Sequence, residues 1–324
     1  MPRETGLPLR LTDVVVMSMG ALAVACLLVV ARWTPGAMAS IFAFSLIAAG
    51  PLVFRALARR FPKHGVFDLI ASFWLLPAAV VGHTFVGPLA DAVHPALFDR
   101  HLAYADARLF GVQPAVWLEA RVPPGLVEVL LVCYYTYFLW PLLLGLVLYF
   151  GQKDRRLFEQ YVLALALGYS ANFVLYALVP AVGPRFFLAG EFNEPLRGLW
   201  LTPWLDSVMR LPRFTRDCFP SGHTATTLTV LFFAYRRARR FFWVMFPFAV
   251  GLIGATVVGR FHYAVDLLAA LPLVLWAVTT AVVLSRVRPK GVLVTPSPRL
   301  ATLWREGIVV ARRFGDLTPR RPGA

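Results

Sequence analysis

The chain has 324 residues, 59% of them hydrophobic and only 15% charged, with a mean hydropathy of +0.67. Soluble domains run at about 45–50% apolar and about 25% charged, so a soluble domain, a disordered chain and a coiled coil are all excluded. Thirty-two Lys and Arg against 17 Asp and Glu give a net charge of +15, but the arginines fall in short clusters between apolar runs. That pattern fits basic loops on one side of a membrane rather than a nucleic-acid-binding face.

A helix needs about 20 apolar residues to cross a bilayer. Eight runs in chain order are expected to do so: Val14–Ala31, Ala37–Phe54, Phe67–Leu89, Val127–Phe150, Leu157–Val179, Gly222–Tyr235, Phe241–Val258 and His262–Leu284. Ala23-Val24-Ala25 resembles a signal-peptidase site, but the apolar run continues past it, so an uncleaved first span is expected. The connections after the second, fourth and sixth runs hold Arg55, Arg59, Arg60 and Lys63, then Lys153, Arg155 and Arg156, then Arg236, Arg237, Arg239 and Arg240. Alternation places these, together with the basic tail from Arg286 onward, on one face. The Lys/Arg bias makes that face cytoplasmic, with both termini inside.

The opposite face receives two long segments, 90–124 and 180–221. Within the first, residues 95–110 alternate charge with Leu, Tyr and Phe at near-helical spacing, as does 300–314 in the tail. Both fit an interfacial helix or a solvated helix with one packed face. Trp117, Trp200 and Trp204 are candidates for the membrane interface. His64, His83, His94 and His101 read as interfacial or packing residues. The cysteines, at 26, 133 and 218, form no CxxC pair, so their spacing gives neither a disulfide framework nor a zinc site. Cys26 and Cys133 lie in apolar runs, where an inert thiol is expected.

Polar residues at the ends of membrane spans are costly and call for a reason. Three clusters fall on the non-cytoplasmic side: Gly183-Pro184-Arg185, the string Phe219 to Ala225 (FPSGHTA), and Thr256 to Asp266 (TVVGRFHYAVD). His262 and Asp266 stand four apart at a helix start and share a face. The carboxylate can take the ring N–H and leave the other nitrogen as an outward lone pair, which suits a nucleophile or a base. Arg260 and Arg185 bring forked donors for an oxyanion. Ser221 and Gly222 open a helix whose free N–H groups make a phosphate seat, with Ser221 as donor or cap. His223 in the first turn can give a proton to a leaving oxygen. No paired carboxylates suggest a metal, so the set describes metal-free phosphoryl transfer without a cofactor.

These three strings resemble the type 2 phosphatidic acid phosphatase superfamily, which includes lipid phosphatases and vanadium haloperoxidases, over residues 160–285. PSGH and the terminal His262-x-x-x-Asp266 match its second and third motifs. The first motif departs from the pattern: Leu178 stands where a Lys is usual, Phe186 follows Arg185, and Pro184 precedes it. In the third, Thr256 takes the usual Arg position and the arginine is Arg260. The Thr-Val-x-x-Arg-x-His-Tyr-x-x-Asp pattern, with Asp106 to Glu119 (DARLFGVQPAVWLE), looks like the inositolphosphotransferase branch, typified by inositol phosphorylceramide synthase.

The resemblance implies an all-α polytopic helical membrane protein of about eight spans: N-terminal helices and outer loop over 1–124, a catalytic bundle over 125–285 and a basic tail over 286–324. It further implies His262 as the nucleophile forming a phosphohistidine, Asp266 orienting it and His223 as general acid. Arg185, Arg260, Ser221 and the Gly222 backbone would hold the phosphate, and Arg216 is a candidate third cation. The expected substrate is a membrane phospholipid or lipid phosphate, with a possible alcohol acceptor, no nucleic-acid partner and no metal, in a bacterial plasma membrane. Headgroup transfer is the leading reaction. Hydrolysis of phosphatidate or an isoprenyl diphosphate, and a non-catalytic lipid binder or transporter on the same fold, are the alternatives. Segments 90–124 and 186–217 are expected to form the headgroup pocket.

Overall fold

The computed structural model describes residues 9–30, 33–151, 155–204 and 216–287. Arg32, Lys153 and the tail from Arg288, including the amphipathic stretch 300–314, lie outside them. The described residues form helices and connecting turns: α1 Leu11–Val30, α2 Ala37–Arg60, α3 Val66–Phe73, α4 Leu75–Phe85, α5 Gly87–Val93, α6 Asp99–Phe110, α7 Pro114–Glu119, α8 Pro124–Tyr135, α9 Leu139–Gly151, α10 Arg156–Leu178, α11 Pro184–Phe187, α12 Gly222–Arg237, α13 Arg239–Val258 and α14 Ala264–Val287.

Six helical segments are long and apolar enough to cross a bilayer: α1, α2, α8 with α9 as Pro124–Gly151, α10, α13 and α14. The expected third span is a pair, α3 and α4, bent by 42°. Pro77 explains the break, because its ring clashes with the carbonyl four residues back, at Phe73, where α3 ends. Pro141 acts more mildly between α8 and α9, where residues Thr136–Phe138 tighten to a 3₁₀ turn. The expected sixth span, α12, has only 16 residues, short of the length a spanning helix needs. All eight expected runs are therefore helical, but six, or seven with the bent pair, meet the requirement for crossing.

The bundle core is apolar and aromatic, with Leu27, Phe44, Ile47, Leu144, Leu148, Phe158, Tyr161, Phe233 and Met245 at 2% exposure or less. Leu22, Met38, Phe42, Trp243, Val244 and Leu275 point outward instead, as lipid-facing side chains do. α10 packs on α12 and α14, α12 on both α13 and α14, and α8 on α13, while α1 joins α2 to α10.

One end of the N-terminal half is tied by charge. Arg55, 4% exposed, donates to Asp13 at 2.9 Å and Asp68 at 2.8 Å. Asp68 also accepts from the Tyr149 hydroxyl at 2.8 Å and from Arg155 at 3.1 Å. Arg55 and Arg155, counted by sequence among loop cations, are thus interior ties between α1, α2, α3, α9 and the start of α10. Removing one partner of a buried pair strands the other charge. Arg55→Met is expected to destabilise the protein by about 3–5 kcal/mol, read as a lower melting temperature in detergent; a melting temperature equal to wild type would contradict this role.

Candidate active site

Four chain segments meet at the other end of the bundle: the turn after α10, the N-terminus of α12, the C-terminus of α13 and the N-terminus of α14. The helix α13 ends with Arg260 in the left-handed region, φ 64°. Phe261 N–H donates to the Thr256 carbonyl at 2.9 Å and Arg260 N–H to that of Val257 at 2.9 Å, the paired bonds that usually close a helix around a glycine. His262 N–H reaches the same Thr256 carbonyl at 2.9 Å, so this helix end fixes the backbone of the histidine. A non-glycine residue there costs about 1–2 kcal/mol, and such strain is commonly stored at functional sites.

His262 is 4% exposed and Asp266 fully buried, with Nδ1 to Oδ2 at 3.3 Å. The same Oδ2 accepts the Tyr263 amide at 2.9 Å and the Cys218 thiol at 3.0 Å. The Ser221 amide donates to the Asp266 carbonyl at 3.1 Å, binding the α12 entry to α14. Ser221 Oγ caps α12 by accepting from Thr224 N–H at 3.2 Å, which uses an oxygen lone pair and not its own O–H. A Cβ on Gly222 would lie 2.7 Å from both Asn172 Nδ2 and the Tyr176 hydroxyl. A side chain at this position would have to push both groups aside, so glycine lets α12 begin this close to α10. Gly183, at φ 87°, is equally constrained, because a Cβ there would sit 2.7 Å from the Phe261 carbonyl.

The His223 ring faces His262 with centroids 5.8 Å apart. Tyr134 stacks on it at 4.6 Å and Tyr137 lies tilted at 4.4 Å, so α8 and the 3₁₀ turn after it wall the site with aromatic rings. Arg185 N–H donates to the Arg260 carbonyl at 2.9 Å, which joins the two arginine backbones. The Arg260 guanidinium bonds Glu119 and the Glu194 carbonyl, each at 3.0 Å, and lies 3.9 Å over the Phe192 ring. All seven expected site residues therefore converge on one end of the bundle. Arg216 does not act as a third cation at this site: it is held by Asp91 and by the Pro95 carbonyl at 3.1 Å.

Sequence reasoning missed a set of carboxylates. Asp99 and Asp106, on the buried face of α6, accept the amides of Val182 and Gly183, and of Ala264 and Val265, at 2.8–2.9 Å. Asp99 also accepts the Tyr263 hydroxyl at 3.0 Å. Of the two readings for 95–110, α6 thus takes the packed face, with Tyr104 and Leu109 left exposed. The i, i+7 spacing of Asp99 and Asp106 on one helix face was the available signal. Glu119 accepts the Asn193 and Glu194 amides, and Glu128 those of Leu199, Leu201 and Thr202. His83, expected as an interfacial or packing residue, pairs with Asp217 at 2.6 Å, one residue from Cys218. Trp117, Trp200 and Trp204 are exposed, as an interfacial role requires.

Residues 100–280 match the family model described as the PAP2 superfamily. The chain belongs to the PAP2 superfamily. Over 170 residues it is 25% identical to a PA-phosphatase related-family protein of Dictyostelium discoideum, a match covering 46% of this chain and 31% of that relative. The chain thus spans about a third of that protein's length. No solved structure matches. The PAP2 match takes in α7 and all of α6 but its first residue, Asp99, as well as the three strings, so Asp106, Glu119 and Glu128 lie within the matched region.

Burial alone would raise the Glu119 carboxyl, but the Glu194 and Asn193 amides and the Arg260 guanidinium outweigh it and hold it below the usual glutamate range. A lowered folded value means that this carboxylate lends stability above about pH 4.3 and loses it as pH falls through the folded value. Glu119→Gln is therefore expected to lower the melting temperature at neutral pH, with the difference from wild type shrinking in acid. A difference that is constant with pH would refute the assignment.

Proposed function

We propose that this PAP2 protein is an integral membrane enzyme that moves the phosphate of a lipid through a phosphohistidine on His262, without a metal. The observation that carries the reading is the buried His262–Asp266 pair placed beside His223 at the N-terminus of α12. Asp266 accepts the hydrogen bond from Nδ1–H, which keeps the ring proton on Nδ1 and leaves the Nε2 lone pair for in-line attack on phosphorus. The new bond forms from Nε2 as the ester bond to the lipid alcohol breaks, and His223 protonates the departing oxygen. Arg185, Arg260, Ser221 and the first amides of α12 stabilise the charge on the transferring group, where fixed donors act with little reorganisation.

His223 then takes a proton from the second alcohol or from water, which attacks the phosphohistidine and frees His262. Transfer to an alcohol is the favoured outcome, with an inositolphosphotransferase-like headgroup exchange as the working case. The aromatic wall of Tyr134, Tyr137 and Phe261 and the burial of His262 support it, because a site that admits little water gives a bound alcohol the advantage. The basic ends of α2, α12 and α14 lie at the far end of the bundle from the site. Together with the positive-inside bias, this supports a site on the non-cytoplasmic face.

The test uses purified protein in vesicles containing phosphatidate and phosphatidylinositol with a diacylglycerol or ceramide acceptor, in EDTA. Headgroup-exchanged lipid without equal free phosphate is expected; free phosphate alone would make the enzyme a lipid phosphatase. His262→Ala should reduce turnover at least 10³-fold and abolish acid-labile labelling from a radiolabelled donor. Retained labelling would overturn the nucleophile assignment. His223→Ala is expected to slow turnover about 10²–10⁴-fold, the range for a lost general acid; that loss should shrink for a donor with a good leaving group.

A further inference from the structure

We propose that Cys218, His262 and Asp266 form a binding site for one zinc-type divalent cation, and that filling it switches the enzyme off. The binding stands on geometry alone; its inhibitory consequence rests on the catalytic reading above. The three donors are buried and mutually close: Sγ to Oδ2 is 3.0 Å, Nδ1 to Oδ2 3.3 Å and Sγ to Nδ1 3.7 Å. Tetrahedral zinc, with bonds of about 2.3 Å to sulfur and about 2.0–2.2 Å to nitrogen and oxygen, separates such donors by about 3.3–3.6 Å. The two edges that include the histidine already fit. Only the sulfur–oxygen edge must widen, by about 0.5 Å, and its shortness comes from the S–H···O hydrogen bond that metal binding removes.

A second observation points to a ligand. Asp266 is fully buried, yet its Oδ1 has no hydrogen-bond partner. A buried acceptor without a donor needs an explanation, and a cation bonded to Oδ2 would place its positive charge next to the Oδ1 of the same carboxylate. The charge also closes: one thiolate and one carboxylate neutralise a divalent ion, so the filled site buries no net charge. A thiolate ligand selects zinc, cadmium and cobalt over magnesium and calcium. Three protein ligands leave a fourth position for water or an anion.

Binding converts the site chemically. The metal displaces the thiol proton, which leaves to solvent, and bonds form from the metal to Sγ, Oδ2 and Nδ1. The ring proton can no longer reside on Nδ1, so the neutral imidazole carries it on Nε2. The nitrogen that attacks phosphorus then has no lone pair, and the carboxylate that oriented it is taken. No oxidant or further reactant is required.

The experiment is a cobalt titration of the purified, chelator-treated full chain in detergent, followed by absorption spectroscopy. One equivalent of cobalt should produce a thiolate-to-metal charge-transfer band and the intense d–d bands of a tetrahedral site. Cys218→Ala should remove the charge-transfer band, whereas Cys26→Ala and Cys133→Ala should keep it. In the vesicle assay, zinc should inhibit wild type reversibly, with activity restored by EDTA, and the half-inhibiting concentration should rise at least tenfold in Cys218→Ala. X-ray absorption on the zinc-loaded wild type, which needs no variant, should find one sulfur neighbour. A zinc shell of nitrogen and oxygen only, or a band that survives Cys218→Ala, would overturn the site. Equal zinc inhibition of wild type and Cys218→Ala would overturn the switch. If no lipid phosphate is turned over at all, the catalytic reading fails, and the cobalt spectrum still decides the site.

Discussion

Carboxylates that accept backbone N–H groups hold the site end of this molecule together. Between residues 99 and 128, Asp99, Asp106, Glu119 and Glu128 each accept at least two amides from a segment that follows α10 or opens α14. Such charge-assisted bonds are stronger than neutral ones, and here they take the place of secondary structure. The segments 182–183, 193–202 and 264–265 gain partners that neither helix nor sheet provides. Asp106 also satisfies two orphan donors at the start of α14, four residues or fewer from His262 and Asp266. His262 is positioned in part by a helix more than 150 residues earlier in the chain.

The opposite end uses the same chemistry with different partners. There Asp13 and Asp68 meet Arg55, Arg155 and the Tyr149 hydroxyl. Between the two polar ends the bundle is apolar, and lipid tails compete with side chains for the same contacts, so apolar area alone specifies helix pairing weakly. Polar ties at both ends give the bundle one register. The His262–Asp266 pair sits within the tie at the site end, where His262, Tyr263 and Cys218 share one oxygen of Asp266.

The residues of the candidate site were legible because their spacing is local. His262 and Asp266 lie one helical turn apart, and Ser221-Gly222-His223 opens a helix whose free amides follow from its position alone. Pro77 lies at the one bent span among the described residues, but Pro51, Pro247 and Pro272 sit inside unbroken helices, so proline alone did not mark the break. The short α12 was harder, since its apolar run begins at the polar FPSGHTA string and sixteen residues fall short of a full crossing. Arg216 misled for another reason: a cation beside a motif looks available until Asp91, 125 residues earlier, is seen to hold it.

The sequence by itself determined the membrane class, the apolar helices and the three strings that converge on the site, because periodicity, span length and i, i+4 spacing are properties of neighbouring residues. Only the tertiary structure decided what each charged residue does. It turned Arg55 and Arg155 from loop cations into interior ties, gave α6 a packed face, bound Arg260 to Glu119 and brought Cys218 onto Asp266. The physical reason is that a charge near a membrane must be paired or hydrogen-bonded, and its partner is chosen by proximity in space, which distance along the chain does not encode.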